Sequence, residues 1–136
     1  MRRAKRLSER FIEDVGGTLK NRNNILFYVD TDYEEELFEL LSNNSKIREK
    51  FQRCLYLILT GQATMDVYRK EAVSSKAKDV WAIKVSSYRL YCKEVQESDK
   101  KYVVIAKHIT KNTQKLSKKM KKKIKIIGGY DYEFED

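Results

Sequence analysis

The stretch 80–95 restricts this chain more than any other. Val80–Val85 and Tyr88–Val95 are rich in β-branched and aromatic residues, and only Ser86-Ser87 separates them. Two strand-forming runs two residues apart predict a β-hairpin, with a register set by its turn. A turn symmetric about Ser86 and Ser87 pairs Val85 with Tyr88, Ile83 with Leu90 and Trp81 with Cys92, an apolar face. Lys84 then opposes Arg89 on the other face. Like charges opposed across a hairpin destabilise it, so this pair is expected to hold something anionic. The bland alternative is two solvated cations on an exposed sheet face.

The rest of the chain builds around that hairpin. Ala4, Leu7, Phe11 and Val15 follow helical spacing, and Gly16-Gly17 stops the run. Ile25–Val29 reads as a short strand. Thr31-Asp-Tyr-Glu34 matches a capping box, in which Thr31 caps a helix and Glu34 reaches back. A second helix starts at Ser45, carries Ile47, Phe51, Cys54, Leu55 and Ile58 on one stripe, and ends at Gly61. The short link 42–44 makes the two helices an antiparallel hairpin. Residues 65–79 read as polar and irregular. Three strands are expected at 80–85, 88–95 and 102–109, then a helix from about Thr113 to Ile127 with Leu116, Met120, Ile124 and Ile127 buried. Tyr130–Phe134 alternates aromatic and acidic residues and could add a short strand.

These elements predict an α+β domain: a small, mostly antiparallel sheet with an N-terminal helical hairpin and a C-terminal helix. Residues 1–24 are expected to be a helical extension, and 25–136 the domain proper.

Charge is segregated along the chain, which carries a net +9. Arg2, Arg3, Lys5, Arg6 and Arg10 crowd the start, six acids lie between Asp30 and Glu39, and nine lysines lie between Lys107 and Lys125 with no acid among them. That balance favours an anionic partner, most often nucleic acid. No apolar run approaches the length of a membrane span and no signal peptide is visible, so a cytoplasmic location without membrane contact is expected. Cys54 and Cys92 fall at apolar positions and there is one His, so neither a disulfide, a metal site nor a cofactor is expected.

Candidate chemistry gathers on basic residues. Lys84 and Arg89 can grip a phosphodiester and stabilise the charge of its transition state. In Lys107-His108-Ile109-Thr110-Lys111, one register places Lys107 beside Arg89, and a shift by one places His108 there. Lys111 lies just past the strand, where a loop can aim it at the same face. Lys115, Lys118, Lys119, Lys121, Lys122, Lys123 and Lys125 suit a nucleic-acid backbone, because unopposed lysines repel one another without a partner. Tyr130 or Tyr132 can stack on a base or move a proton, although an apolar end strand with acidic neighbours explains the tail as well.

The segment from Trp81 to Ile124 resembles the RelE/ParE superfamily of bacterial toxins, closest to the HigB and phage-derived Gp49-like branch. Trp-Ala-Ile-Lys-Val-Ser-Ser-Tyr-Arg-Leu-Tyr follows the family's strand, turn and Arg-bearing strand. His108, Lys111, Thr113, Gln114 and Lys115 match its next segment, with Asn112 in place of a frequent Lys. The helical hairpin and Tyr68-Arg69-Lys70 fit the family order.

The resemblance implies a RelE-like fold and a type II toxin, a ribosome-dependent mRNA endonuclease restrained by a cognate antitoxin. Such enzymes are metal-independent, and the RNA 2′-hydroxyl attacks the adjacent phosphate. Arg89 matches the second-strand Arg that such enzymes use to stabilise the transition state, Lys84 one of their first-strand lysines and Lys111 the basic residue after their third strand. Ala82 stands where another lysine is often found, and no Tyr counterpart is clear in the last helix. The proton acceptor is therefore open, with His108, Tyr130 and Tyr132 as candidates. Lys107, Lys115, Lys118, Lys119, Lys122, Arg69 and Lys70 are expected to contact RNA. The alternatives are a ParE-like toxin acting on DNA gyrase and a non-catalytic nucleic-acid-binding module.

Overall fold

A computed structural model describes residues 1–13, 23–71, 78–111 and 117–135. Seven strands form one mixed sheet, curled into a half-barrel, with three helices packed on it. In chain order the elements are β1 (Arg2–Arg6), β2 (Ile25–Asp30), α1 (Glu34–Ser42), α2 (Ser45–Leu59), β3 (Tyr68–Lys70), β4 (Val80–Val85), β5 (Tyr88–Glu97), β6 (Lys100–Thr110), α3 (Lys118–Gly128) and β7 (Tyr132–Glu135). The sheet order is β3-β4-β5-β6-β2-β1-β7. β2 runs parallel to β6 and β1 parallel to β7, and the remaining neighbours are antiparallel.

This corrects the expected fold class, a small, mostly antiparallel sheet headed by a helical hairpin. Two strands precede the helical pair, and the sheet is larger and mixed. The chief error lies at the N-terminus, where Arg2–Arg6 is a strand and not the start of a helix. β1 has a single buried side chain, Ala4, so its apolar pattern is nearly silent. Charge pairing over long separations holds it instead. Arg2 binds Asp30 at 2.7 Å, Arg3 reaches Glu135 at 3.1 Å and Lys5 approaches Glu34 at 3.7 Å. The basic start and the acids after Asp30, separate blocks in the sequence, thus neutralise one another in space.

The helical pair sits on one face of the sheet. α1 opens with Glu34, Glu35 and Glu36, which suit the positive end of the helix dipole, and buries Leu37 and Leu41 one turn apart. The expected capping box is absent. Tyr33 occupies the cap position without a side-chain cap bond, and the Thr31 N–H donates to the Arg3 carbonyl at 3.0 Å. Asn44 caps α2 by accepting from the Ile47 N–H at 3.2 Å. Gly61 follows α2 at φ +72°, a conformation that glycine adopts without steric cost. The helices bury Leu37, Phe51, Leu55 and Leu59 against Phe27, Val29, Ile83, Leu90, Val103 and Ile105.

α3 covers part of the opposite face. Ile124 and Ile127 pack on Val80, Ala82, Tyr91 and Ala106. Its lysine-rich remainder is largely exposed, and Ser117 caps it by accepting from the Met120 N–H at 3.1 Å. Thr113 and Leu116, expected in this helix, lie outside the described residues. A third apolar group of Ala4, Leu26, Tyr28, Val104 and Tyr132 seals the β1–β7 end, where Phe134 stacks on Tyr102 with centroids 4.3 Å apart. Among the described residues, no helix is long and apolar enough to cross a membrane.

Candidate functional site

The hairpin of β4 and β5 has the register that the Ser86-Ser87 turn predicts. Val85 pairs with Tyr88, Ile83 with Leu90, Trp81 with Cys92, and Lys84 opposes Arg89. Ser86 takes a positive φ of 57°, as a tight hairpin turn demands. Lys84 and Arg89 therefore share the face that carries Ala82 and Tyr91.

Neighbouring strands bring more charge to that face. Arg69, on the edge strand β3, pairs with Ala82. β3 was missed because it is short and lies in a stretch that reads as irregular. Lys111 follows β6 directly, and its N–H donates to the Ser87 carbonyl at 2.7 Å, which ties it to the hairpin turn. The Lys111 ammonium is pulled below its usual range, chiefly by burial, then by Arg89, Arg69 and Lys84, with Glu71 opposing. Lys111 thus lies within electrostatic reach of three cations and one carboxylate, and the strand register sets Arg69, Lys84 and Arg89 on one face of neighbouring strands. Arg89 donates to the Ser86 and Tyr88 carbonyls at 3.3 and 3.1 Å, which orients its guanidinium. Among the described residues, none of the four cations makes an ion pair with a carboxylate.

Two members of this cluster were not anticipated. Glu71 is buried at 6% exposure and anchored by its N–H to the Val80 carbonyl at 2.8 Å. Tyr91 is fully buried, and its hydroxyl has no hydrogen-bond partner. Burial pushes this hydroxyl up to about 12, Glu71 adds to the rise, and Arg89 and Arg69 oppose it. The sequence signal for Tyr91 was its spacing of two from Arg89, which places both on one face.

The structure brings Lys84, Arg89, Lys111 and Arg69 together but places His108 and Tyr132 elsewhere. A β-bulge between Tyr91 and Cys92 sets the β5–β6 register, so that Arg89 faces Ile109, Leu90 faces His108 and Tyr91 faces Lys107. Lys107 therefore lies on the cation face, two residues from Ile109, and pairs with Glu36 at 3.4 Å. His108 points to the opposite face, where its Nδ1 meets the Tyr33 hydroxyl and the ring packs edge-on against Tyr88. Burial lowers the His108 pKa, with Glu36 opposing and Lys107 and Lys123 assisting. Tyr132 is at the far edge of the sheet and donates to Asp30 Oδ2 at 2.8 Å.

The expected RNA contacts are spread more widely. Lys70 is exposed at the end of β3, and Lys118, Lys119 and Lys122 are exposed on α3. Lys107, His108, Thr110, Ser117, Lys119 and Lys123 line a cleft of about 490 Å³ between β6 and α3. Lys115 lies outside the described residues. The chain matches no protein-family model, no curated protein and no solved structure.

Proposed function

We propose that the protein is an endoribonuclease, a growth-arresting toxin that cuts messenger RNA on the ribosome in the cytoplasm and is restrained by a cognate antitoxin. The observation that carries this reading is the convergence of the hairpin pair Lys84 and Arg89 with Lys111, which lies in a separate part of the sequence. Arg69 joins them, and no ion pair occupies any of the four among the described residues. Arg89 and Lys84 would hold the scissile phosphate and stabilise its developing charge.

Glu71 is the group best placed to take the proton. In this scheme its carboxylate accepts the 2′-hydroxyl proton as the 2′-oxygen attacks phosphorus and the bond to the 5′-oxygen breaks. Lys111, with its lowered pKa, gives a proton to that leaving oxygen. The products are a 2′,3′-cyclic phosphate and a free 5′-hydroxyl. His108 and Tyr132 stand outside the scheme.

A second reading, an RNA-binding module without catalysis, is favoured by the presence of a single carboxylate in the cluster among the described residues. Inducing the protein in growing cells and mapping RNA 5′ ends separates the two. New 5′-hydroxyl ends, lost with Arg89→Ala and with Glu71→Gln while growth recovers, support the nuclease. Unchanged ends with RNA retained on the purified protein support the module. Intact messages alongside DNA damage would refute both and favour action on gyrase.

A further inference from the structure

The Tyr91 hydroxyl is the one buried side-chain polar atom among the described residues that lacks a hydrogen-bond partner. Leaving a buried donor unpaired is costly, so a fold retains one where something else supplies the partner. The ring is clamped between the sheet and α3, in contact with the group formed by Ala82, Ala106, Ile124 and Ile127. It has little freedom to turn its hydroxyl elsewhere. The hydroxyl lies near Arg69, Arg89 and Glu71, each of which acts on its titration. Tyr91 thus presents a fixed neutral donor beside a set of long, partly exposed cations.

We propose that this hydroxyl is the floor of the anion site, donating to a non-bridging oxygen of a phosphate that Arg89 and Arg69 hold from above. The inference rests on reading the cluster as an RNA site and adds to it a positioning residue that reads geometry as well as charge. Arg69, Arg89 and Lys111 are partly exposed and long, so they can turn outward to admit the phosphate. Because the phenol stays protonated across the physiological range, it donates at every pH where the cations bind.

The test uses the full chain and a short RNA oligonucleotide carrying 2′-methoxy groups, which cannot be cleaved. Binding by fluorescence anisotropy and unfolding by calorimetry are compared for wild type, Tyr91→Phe and Arg89→Ala. Tyr91→Phe is expected to raise the Kd about tenfold or more, the loss of one hydrogen bond to a charged group. Its Tm without RNA is expected to equal or exceed that of wild type, because a buried orphan hydroxyl has been removed. A lowered Tm would mean that the hydroxyl makes a structural bond, and overturns the inference. Wild-type affinity in Tyr91→Phe with weakened binding in Arg89→Ala overturns it too, and leaves the cluster as the RNA site. Wild-type affinity in both variants removes the RNA site itself.

Discussion

Replacing Asp30 by Ala should remove the fastening that joins three strands. Asp30 is 1% exposed and ends β2. Its carboxylate accepts from Arg2 Nε at 2.7 Å, Arg2 Nη2 at 3.1 Å, the Tyr132 hydroxyl at 2.8 Å and the Asp32 N–H at 2.9 Å. Those bonds reach β1 through Arg2 and β7 through Tyr132. Breaking a buried charge pair by removing one partner costs about 3–5 kcal/mol. Here Arg2 is 31% exposed and keeps Asp32 at 3.2 Å, so the guanidinium is not stranded. The Tyr132 hydroxyl, by contrast, loses its acceptor inside a buried site. The expected loss is therefore at the lower end, about 3 kcal/mol, or about 10 °C in Tm for a chain of this size. Urea unfolding followed by circular dichroism measures it. A double-mutant cycle with Arg2→Met should give a coupling of about 1–3 kcal/mol. A loss under about 1 kcal/mol, or additive effects, would refute the view that this carboxylate binds the strands together. RNA affinity should be unchanged, since the cation cluster sits toward the other edge of the sheet.

Two further outcomes concern pH and backbone. The folded-state pKa of His108 is lowered, so the unfolded chain binds the proton more readily. Stability is then full above the unfolded value near 6.5, falls as pH drops through that value toward the folded one, and levels off below it. Urea midpoints between pH 7.5 and 5 should show this decline, and His108→Asn should flatten it. Gly61→Ala meets no atom within 4 Å but keeps a positive φ, so it should cost about 1 kcal/mol by chemical denaturation through backbone strain alone.

What could be read from the sequence was local. The β4–β5 pairing was legible because a two-residue turn leaves one register, and with it came the opposition of Lys84 and Arg89. α2 was legible from its stripe and from Gly61. β1 was not, because its stabilising partners lie far along the chain at Asp30, Glu34 and Glu135, and its own pattern is charged. The capping box at Thr31 failed for a related reason. A tertiary bond from its N–H to Arg3 outcompeted the local cap. Within the cluster, the cations were visible as residue types, but Glu71 was not, since a single acid in an irregular stretch carries no periodicity. The side on which His108 falls depends on a bulge that no local signal marked.

That bulge gives the sheet an unusual way to change. On β6, residues on either side of it obey opposite rules for which face they occupy, since side chains alternate with a period of two. Smoothing the bulge without changing the chain's length would pair Ala106 with Tyr91 and His108 with Arg89, which swings Lys107 away from the cations and brings His108 toward them with every amino acid unaltered. A titratable imidazole would then stand where an ammonium stood. A one-residue slip of register within a strand is ordinarily read as damage; at this position it would act as a chemical substitution, exchanging a fixed charge for one that responds to pH.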